Sequence, residues 1–150
     1  MSDAPTAGRF EGREHLLPVR VYYEDTDFTG LVYHANYLRY FERGRSDFLR
    51  LATTGHAELL DRDDPLAFVV VRMVIDFKKG ARIDDALVVR TAYDAVRGAR
   101  LYITQTIERN GDILCAAEVE AACIDLTGKP RRAPRSLAEG LSRWLKPLAP

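Results

Sequence analysis

With 150 residues, 47% of them hydrophobic, the chain suits one domain around a single sizeable core and leaves no room for a second. Lys plus Arg and Asp plus Glu are both 22, so no global field points to nucleic acid or an anionic membrane, and an anionic ligand needs a local cluster of cations. The N-terminal "MSDAPTAGRFEGRE" lacks an apolar signal region, and no later run approaches the roughly 18 apolar residues of a membrane span; the expectation is a cytoplasmic chain with a mobile N-terminus at 1–13 and one domain at 14–146.

From 15 to 24 the chain alternates after Pro18, with Val19, Val21 and Tyr23 on one side and Arg20, Tyr22 and Glu24 on the other, which predicts a strand. Over about 34–52, Tyr37, Leu38, Phe41, Gly44, Phe48, Leu49 and Ala52 recur at three- and four-residue spacing, while Arg39, Glu42, Arg43 and Arg50 supply the other face. This predicts an amphipathic helix of about 28 Å. Gly44 inside it costs about 1 kcal/mol against Ala, which makes sense where backbones pack closely.

After the short connection "GHAELLDRDDP" the period changes to two. Ala67, Val69, Val71, Met73, Ile75 and Phe77 form one apolar face, and Phe68, Val70, Arg72, Val74, Asp76 and Lys78 a mixed one. Strands at about 85–96, 99–109 and 113–126 follow, the last two joined by Asn110-Gly111, a strong type I′ hairpin signal. Ser136 and Glu139 carry the spacing of a capping box for a last short helix. The order, a strand, a long helix and then four strands in a meander, is α+β with an antiparallel sheet of about five strands wrapped round the helix. Val88, Val96, Val70 and Phe68 on the outer face call for a partner subunit or a C-terminal cover.

Cys115 and Cys123 fall in one strand, roughly 26 Å apart at about 3.3 Å per residue, so they do not pair with each other. His15, His34 and His56 are scattered and no Cys/His cluster exists, which argues against a structural zinc site.

The densest chemistry is "YYEDTDFTGLVYHANY" at 22–37. Asp25, Asp27, Thr29 and Gly30 have the spacing of a calcium loop's first ligands, but Asn36 stands where the closing Glu is needed and a strand precedes the loop where a helix should. The same residues imitate the Asp-x-Asp-x-Thr opening of haloacid-dehalogenase-type phosphatases, yet no βαβ alternation follows. A third reading uses more of the stretch. Asp27 stands shortly before His34, at the start of the helix, whose first N–H groups are unpaired and carry partial positive charge. Those donors suit a carbonyl oxygen that gains charge under attack, with Asp27 as nucleophile or general base. Gly30 permits the tight backbone this needs, and the Tyr23 hydroxyl is a candidate donor to the carboxylate or the substrate.

"VRVYYEDTDFTGLVYHANYLRYFERGRSDFLR" resembles the signature region of the hotdog-fold acyl-CoA thioesterases of the 4-hydroxybenzoyl-CoA thioesterase type, most closely the branch associated with the Tol-Pal system. The similarity runs through most of 19–135, including "FKKGARIDDALVV" and "GKPRRAP". It implies a hotdog fold, a catalytic Asp27, and assistance from Tyr23 and His34. One departure is Gly80, where relatives commonly carry proline. The implied protein is a homodimer or homotetramer that hydrolyses acyl-CoA with neither cofactor nor metal. Acyl carrier protein is an alternative carrier, and a non-catalytic acyl-binding protein of the same fold is the alternative function. Lys78, Lys79, Arg82, Arg131 and Arg132, with Arg72 and Lys129, are the candidate cations for the CoA phosphates.

Overall fold

The computed structural model describes residues 3–147. Strands β1 (Arg9–Glu11) and β2 (Glu14–Arg20) form a hairpin, followed by helix α1 (His34–Ala52) and the short α2 (His56–Leu60). Then come β3 (Leu66–Phe77), β4 (Ala86–Arg97), β5 (Arg100–Arg109), β6 (Asp112–Asp125) and α3 (Arg135–Ser142). All six strands join one antiparallel sheet in the order β1-β2-β4-β5-β6-β3. The meander is therefore β4 to β6 only. β3 pairs on the far side of β6 and forms the sheet's other edge, because the 78–85 connection crosses back to deliver β4 beside β2. Asn110 and Gly111 close the β5–β6 hairpin with φ of 51° and 85°, as a type I′ turn requires.

Helix α1 lies across the concave face. Tyr37, Tyr40, Phe41, Phe48 and Leu49 are buried against Leu87, Val89, Tyr93, Ile103 and Ile107. The expected stripe is shifted slightly: Leu38 faces solvent, and Tyr40 and Asp47 face inward. Gly44 is where helix and sheet come closest, since a Cβ there would sit 2.7 Å from Thr91 Oγ1 and 2.8 Å from Val89 Cγ1.

Two bulges overturn the expected face assignments. The register of β3 on β6 slips between Val70 and Arg72, and that of β4 on β5 between Tyr93 and Ala95. Each extra residue swaps the side that later residues face. Phe68 before one bulge and Met73 and Ile75 after it all pack on the core, as does Val96 beyond the other. Strict alternation had placed Phe68 and Val96 outside and had read a continuous inner face from Ala67 to Phe77. Val69, Val71 and Phe77 of that face are instead exposed along the β3 edge, where Val70 and Val74 are exposed as the outer-face reading expects.

The stretch read as a mobile N-terminus contains β1, while residues 1 and 2 lie outside the described residues. Phe10 stacks on Trp144 with ring centroids 3.9 Å apart and meets Phe48 edge-on at 5.0 Å, and the Gly8 N–H donates to Asp47 Oδ2 at 2.8 Å. Aromatic burial anchors this segment where composition had pointed to mobility. The Ser136–Glu139 capping box does not form: α3 begins at Arg135 behind Pro134, and Glu139 Oε1 accepts from Arg135 Nε at 2.8 Å. Ser136 is thus inside the helix and not at its cap.

Candidate active site

The strand predicted to reach Glu24 stops at Arg20, and Tyr23–Asp25 turn as a 3-10 segment. The Asp25 side chain drives the turn, with Oδ2 accepting from the Tyr22 N–H at 2.8 Å. Thr26 pairs with Val32 across a tight loop, closed by Asp27 N–H to Leu31 O at 2.9 Å and Gly30 N–H to Asp27 O at 3.0 Å. Gly30 adopts a φ of 83°, the left-handed conformation read from sequence. Asp25 also fastens this loop to the helix, because its backbone carbonyl accepts from Tyr33 N–H at 2.9 Å and from Asn36 Nδ2 at 2.8 Å. Asn36, buried at the first turn of α1, is a brace between loop and helix.

Asp27 is half-buried at the loop tip. Its Oδ1 accepts from the Thr29 N–H at 2.8 Å and from Thr29 Oγ1 at 2.5 Å. The Thr29 hydroxyl, then its N–H, and more weakly the nearby His34 hold the carboxyl below its ordinary value of 3.8, so it is ionised at neutral pH. Thr29 escaped the sequence reading as a site residue. Its signal was the Asp-x-Thr spacing, which favours a local side-chain turn. The Asp25 and Asp27 carboxylates, which share calcium-loop spacing, are committed to different partners.

Helix α1 starts at His34 behind Tyr33, which provides no side-chain cap. Among the described residues the N–H groups of His34 and Ala35 have no acceptor, so two donors at the positive end of a 19-residue helix stay open. The His34 imidazole is exposed, with its ring 4.6 Å from that of Tyr33 and edge-on to Phe77 at 6.2 Å. Tyr23 is 84% exposed, and its hydroxyl has no partner among the described residues. The structure thus brings Asp27 and His34 within electrostatic reach of each other and leaves Tyr23 exposed in the 3-10 turn that leads into the loop.

The candidate cations divide into two groups. Leu31 pairs with Arg82 and the Val32 N–H donates to Ala81 O at 2.8 Å, so the 78–85 connection lies against the Asp27 loop and carries Lys78, Lys79 and Arg82 beside it. Tyr37 Oη accepts from the Ala81 N–H at 3.0 Å and fixes the same connection to α1. Arg131 and Arg132 stand at the opposite end of β3, where Leu66 pairs with Asp125 and the Arg131 N–H donates to Cys123 O. Arg131 is already held by Asp64 and Asp125. One protomer therefore does not assemble the single cluster that the sequence invited, because a full strand length separates its halves.

The family described as the thioesterase-like superfamily matches residues 21–145. The chain belongs to this superfamily. As a thioesterase-superfamily chain with a hotdog fold, it is 47% identical over 110 residues to the acyl-CoA thioesterase YbgC of Haemophilus influenzae, covering 73% of this chain and 80% of that one. It is 42% identical over 122 residues to the acyl-CoA thioester hydrolase YbgC of Escherichia coli O157:H7, covering 80% and 90%. A probable thioesterase from Bartonella henselae superposes with a TM-score of 0.79 at 44% identity, over 81% of this chain and 99% of that one. The superfamily match spans the Asp27 loop, α1 and the connection that lies against them.

Proposed function

We propose that the protein hydrolyses acyl-CoA thioesters, with Asp27 as nucleophile or general base and the open N–H groups of His34 and Ala35 as the oxyanion site. The observation that carries this reading is an ionised carboxylate held on a fixed turn beside two unpaired helix-terminal donors. In one route Asp27 attacks the thioester carbon, CoA leaves as thiolate, and water hydrolyses the resulting anhydride. In the other, Asp27 takes a proton from the attacking water. Both routes place negative charge on the carbonyl oxygen, where preorganised donors lower the barrier. The Tyr23 hydroxyl and the His34 imidazole assist from the rim, and neither route calls for a metal.

The working unit in this reading is a dimer joined through β3. Its edge is 12 residues long, unpaired and apolar, a template for strand pairing by a second copy. Antiparallel pairing about the middle of the strand sets Leu66 opposite Phe77 of the partner subunit. That brings Lys78, Lys79 and Arg82 of one copy toward Arg131 and Arg132 of the other and completes a phosphate-binding cluster. Light scattering should give at least twice the 16.9 kDa chain mass, four times for a homotetramer; a monomer across micromolar concentrations overturns the dimer. The proposed compartment is the cytoplasm, in keeping with two unpaired, buried thiols. No described helix is long and apolar enough to cross a membrane. An acyl carrier protein, which presents a thioester on the same phosphopantetheine arm, is the alternative carrier.

The test is turnover of acyl-CoA followed by free-thiol release. Asp27→Asn keeps shape but removes nucleophile and base, and should lower kcat by roughly 10²-fold or more with folding intact. Binding of acyl-CoA without turnover by the unaltered protein would establish a non-catalytic binder. Loss of activity on EDTA treatment would overturn the metal-free mechanism.

A further inference from the structure

A cavity of about 130 Å³ lies between the C-terminal half of α1, α2 and the start of β3. Leu49, Phe68, Val70, Tyr93, Leu101 and Ile103 give it apolar walls, and Glu42, Arg45, Ser46 and His56 line it as well. It is not part of the Asp27 site of its own protomer, because Arg45 is eleven residues along α1 from His34, roughly 17 Å at 1.5 Å per residue.

Arg45 has no ion pair among the described residues, although Glu42, three residues earlier on α1, attracts it from the same cavity lining. Its guanidinium donates from Nη1 to Gln105 Oε1 at 3.0 Å. Gln105 is itself committed, donating to Phe41 O and Thr91 Oγ1. Glu42 accepts the Ser46 hydroxyl at 2.5 Å, and Ser46 Oγ lies 2.9 Å from His56 Nε2. With the Ser46 proton on the Glu42 side, His56 is a donor to Ser46 and not its base, so the trio forms a polar rim with no nucleophile. Burial pushes the Arg45 guanidinium below its usual range, and Tyr93 and Glu42 offset that only in part.

Size limits what can enter. A dry cavity of about 150 Å³ takes one benzene ring, so this one fits a chain of a few carbons or a single ring. In the β3-paired dimer the Phe77 end of one copy, with its His34 and Asp27, lies over the Leu66–Val70 end of the other, where this cavity sits. The geometry points to the cavity as the acyl pocket for the partner's Asp27, selecting short acyl groups that end in a carboxylate, which pairs with Arg45. This rests on the reading of the protein as a dimeric acyl-CoA hydrolase. A planar guanidinium matches a carboxylate with paired donors, and apolar walls strengthen the pairing.

The test compares kcat/KM for thioesters matched in length, butanoyl-CoA against succinyl-CoA and hexanoyl-CoA against adipoyl-CoA. The unaltered protein should favour the carboxylated member about tenfold or more. Arg45→Met, which keeps the aliphatic stem, should reverse the preference, and Arg45→Lys should retain part of it. Each ratio is taken within one preparation, so partial unfolding of a variant scales both substrates equally. Preference for the methyl-terminated member, or a ratio indifferent to Arg45→Met, overturns the pocket assignment while hydrolysis stands. Failure to hydrolyse any of the four overturns the hydrolase reading and the pocket together.

Discussion

Thr29 gives both its N–H and its hydroxyl to one oxygen of Asp27, at 2.8 and 2.5 Å, and so fixes the position and the ionisation of the carboxylate at once. The Thr29 hydroxyl is the largest cause of the depressed Asp27 pKa. A depressed carboxyl stays ionised as pH falls, until the pH passes its lowered value. Thr29→Val removes the hydroxyl and keeps the N–H, so the acid limb of kcat/KM should move up in pH toward the ordinary 3.8. An unmoved limb in the variant would show that Asp27 is not the ionisation that controls turnover.

Asp25 and Asp27 should respond differently to the same substitution. The Asp25 backbone carbonyl ties the loop to Tyr33 and Asn36, and Asp25→Asn leaves that carbonyl in place. An amide oxygen can still accept from the Tyr22 N–H. Turnover should stay within a few-fold of the unaltered protein, against the roughly 10²-fold loss for Asp27→Asn. Equal losses would favour a site in which both carboxylates act.

Asn36→Ala removes the brace between loop and helix. The substitution leaves the Asp25 carbonyl short of a buried donor and Arg39 Nη1 without its 2.5 Å acceptor, Asn36 Oδ1. A cost of about 1–3 kcal/mol is expected from thermal or urea unfolding. Because the brace sets Asp27 against the helix end, kcat should fall more than KM rises. Normal stability together with normal kcat would remove Asn36 from the site's support.

Gly44→Ala sets helix propensity against packing. Propensity alone gains about 1 kcal/mol from the change. A methyl group within 2.7 Å of Thr91 Oγ1 and 2.8 Å of Val89 Cγ1 forces helix and sheet apart, which costs about 1–3 kcal/mol. Net destabilisation in urea is expected; a more stable variant would show that the helix can lift without penalty.

His15 is fully buried against Asp47, with Nε2 2.7 Å from Oδ2, while Phe10 and Phe48 pack on its ring and Arg50 bonds the other Asp47 oxygen. Burial outweighs the attraction of Asp47 and lowers the His15 pKa below 6.5. The unfolded chain therefore binds the proton more tightly, and stability should fall as pH drops through and below about 6.5. Asp47 is also lowered and adds a further loss at more acid pH. Urea midpoints from pH 8 to pH 5 should show the decline, and His15→Gln should flatten it near pH 6. An equally steep decline in the variant would assign the slope elsewhere.

Local pattern in the chain was enough to place α1, the four long strands and the Asn110-Gly111 turn, because helical and strand periodicity are set by which neighbours must be buried. Density of chemistry placed Asp27 and His34 at one helix terminus, since the spacing that forms the loop also joins them. What periodicity cannot register is a single inserted residue in a ladder, which depends on the partner strand; the bulge at Val71 thus put Met73 and Ile75 on the same side as Phe68, and the bulge at Asp94 turned Val96 inward. Pairing across long separations was equally hidden: β3 reached β6 and not β4, which stranded Arg131 and Arg132 from Lys78, Lys79 and Arg82 and left an apolar edge open. The Arg45 cavity belongs to the same class. Its walls come from α1, α2, β3, β4, β5 and β6, and only their packing sets an arginine beside apolar side chains with no ion pair among the described residues.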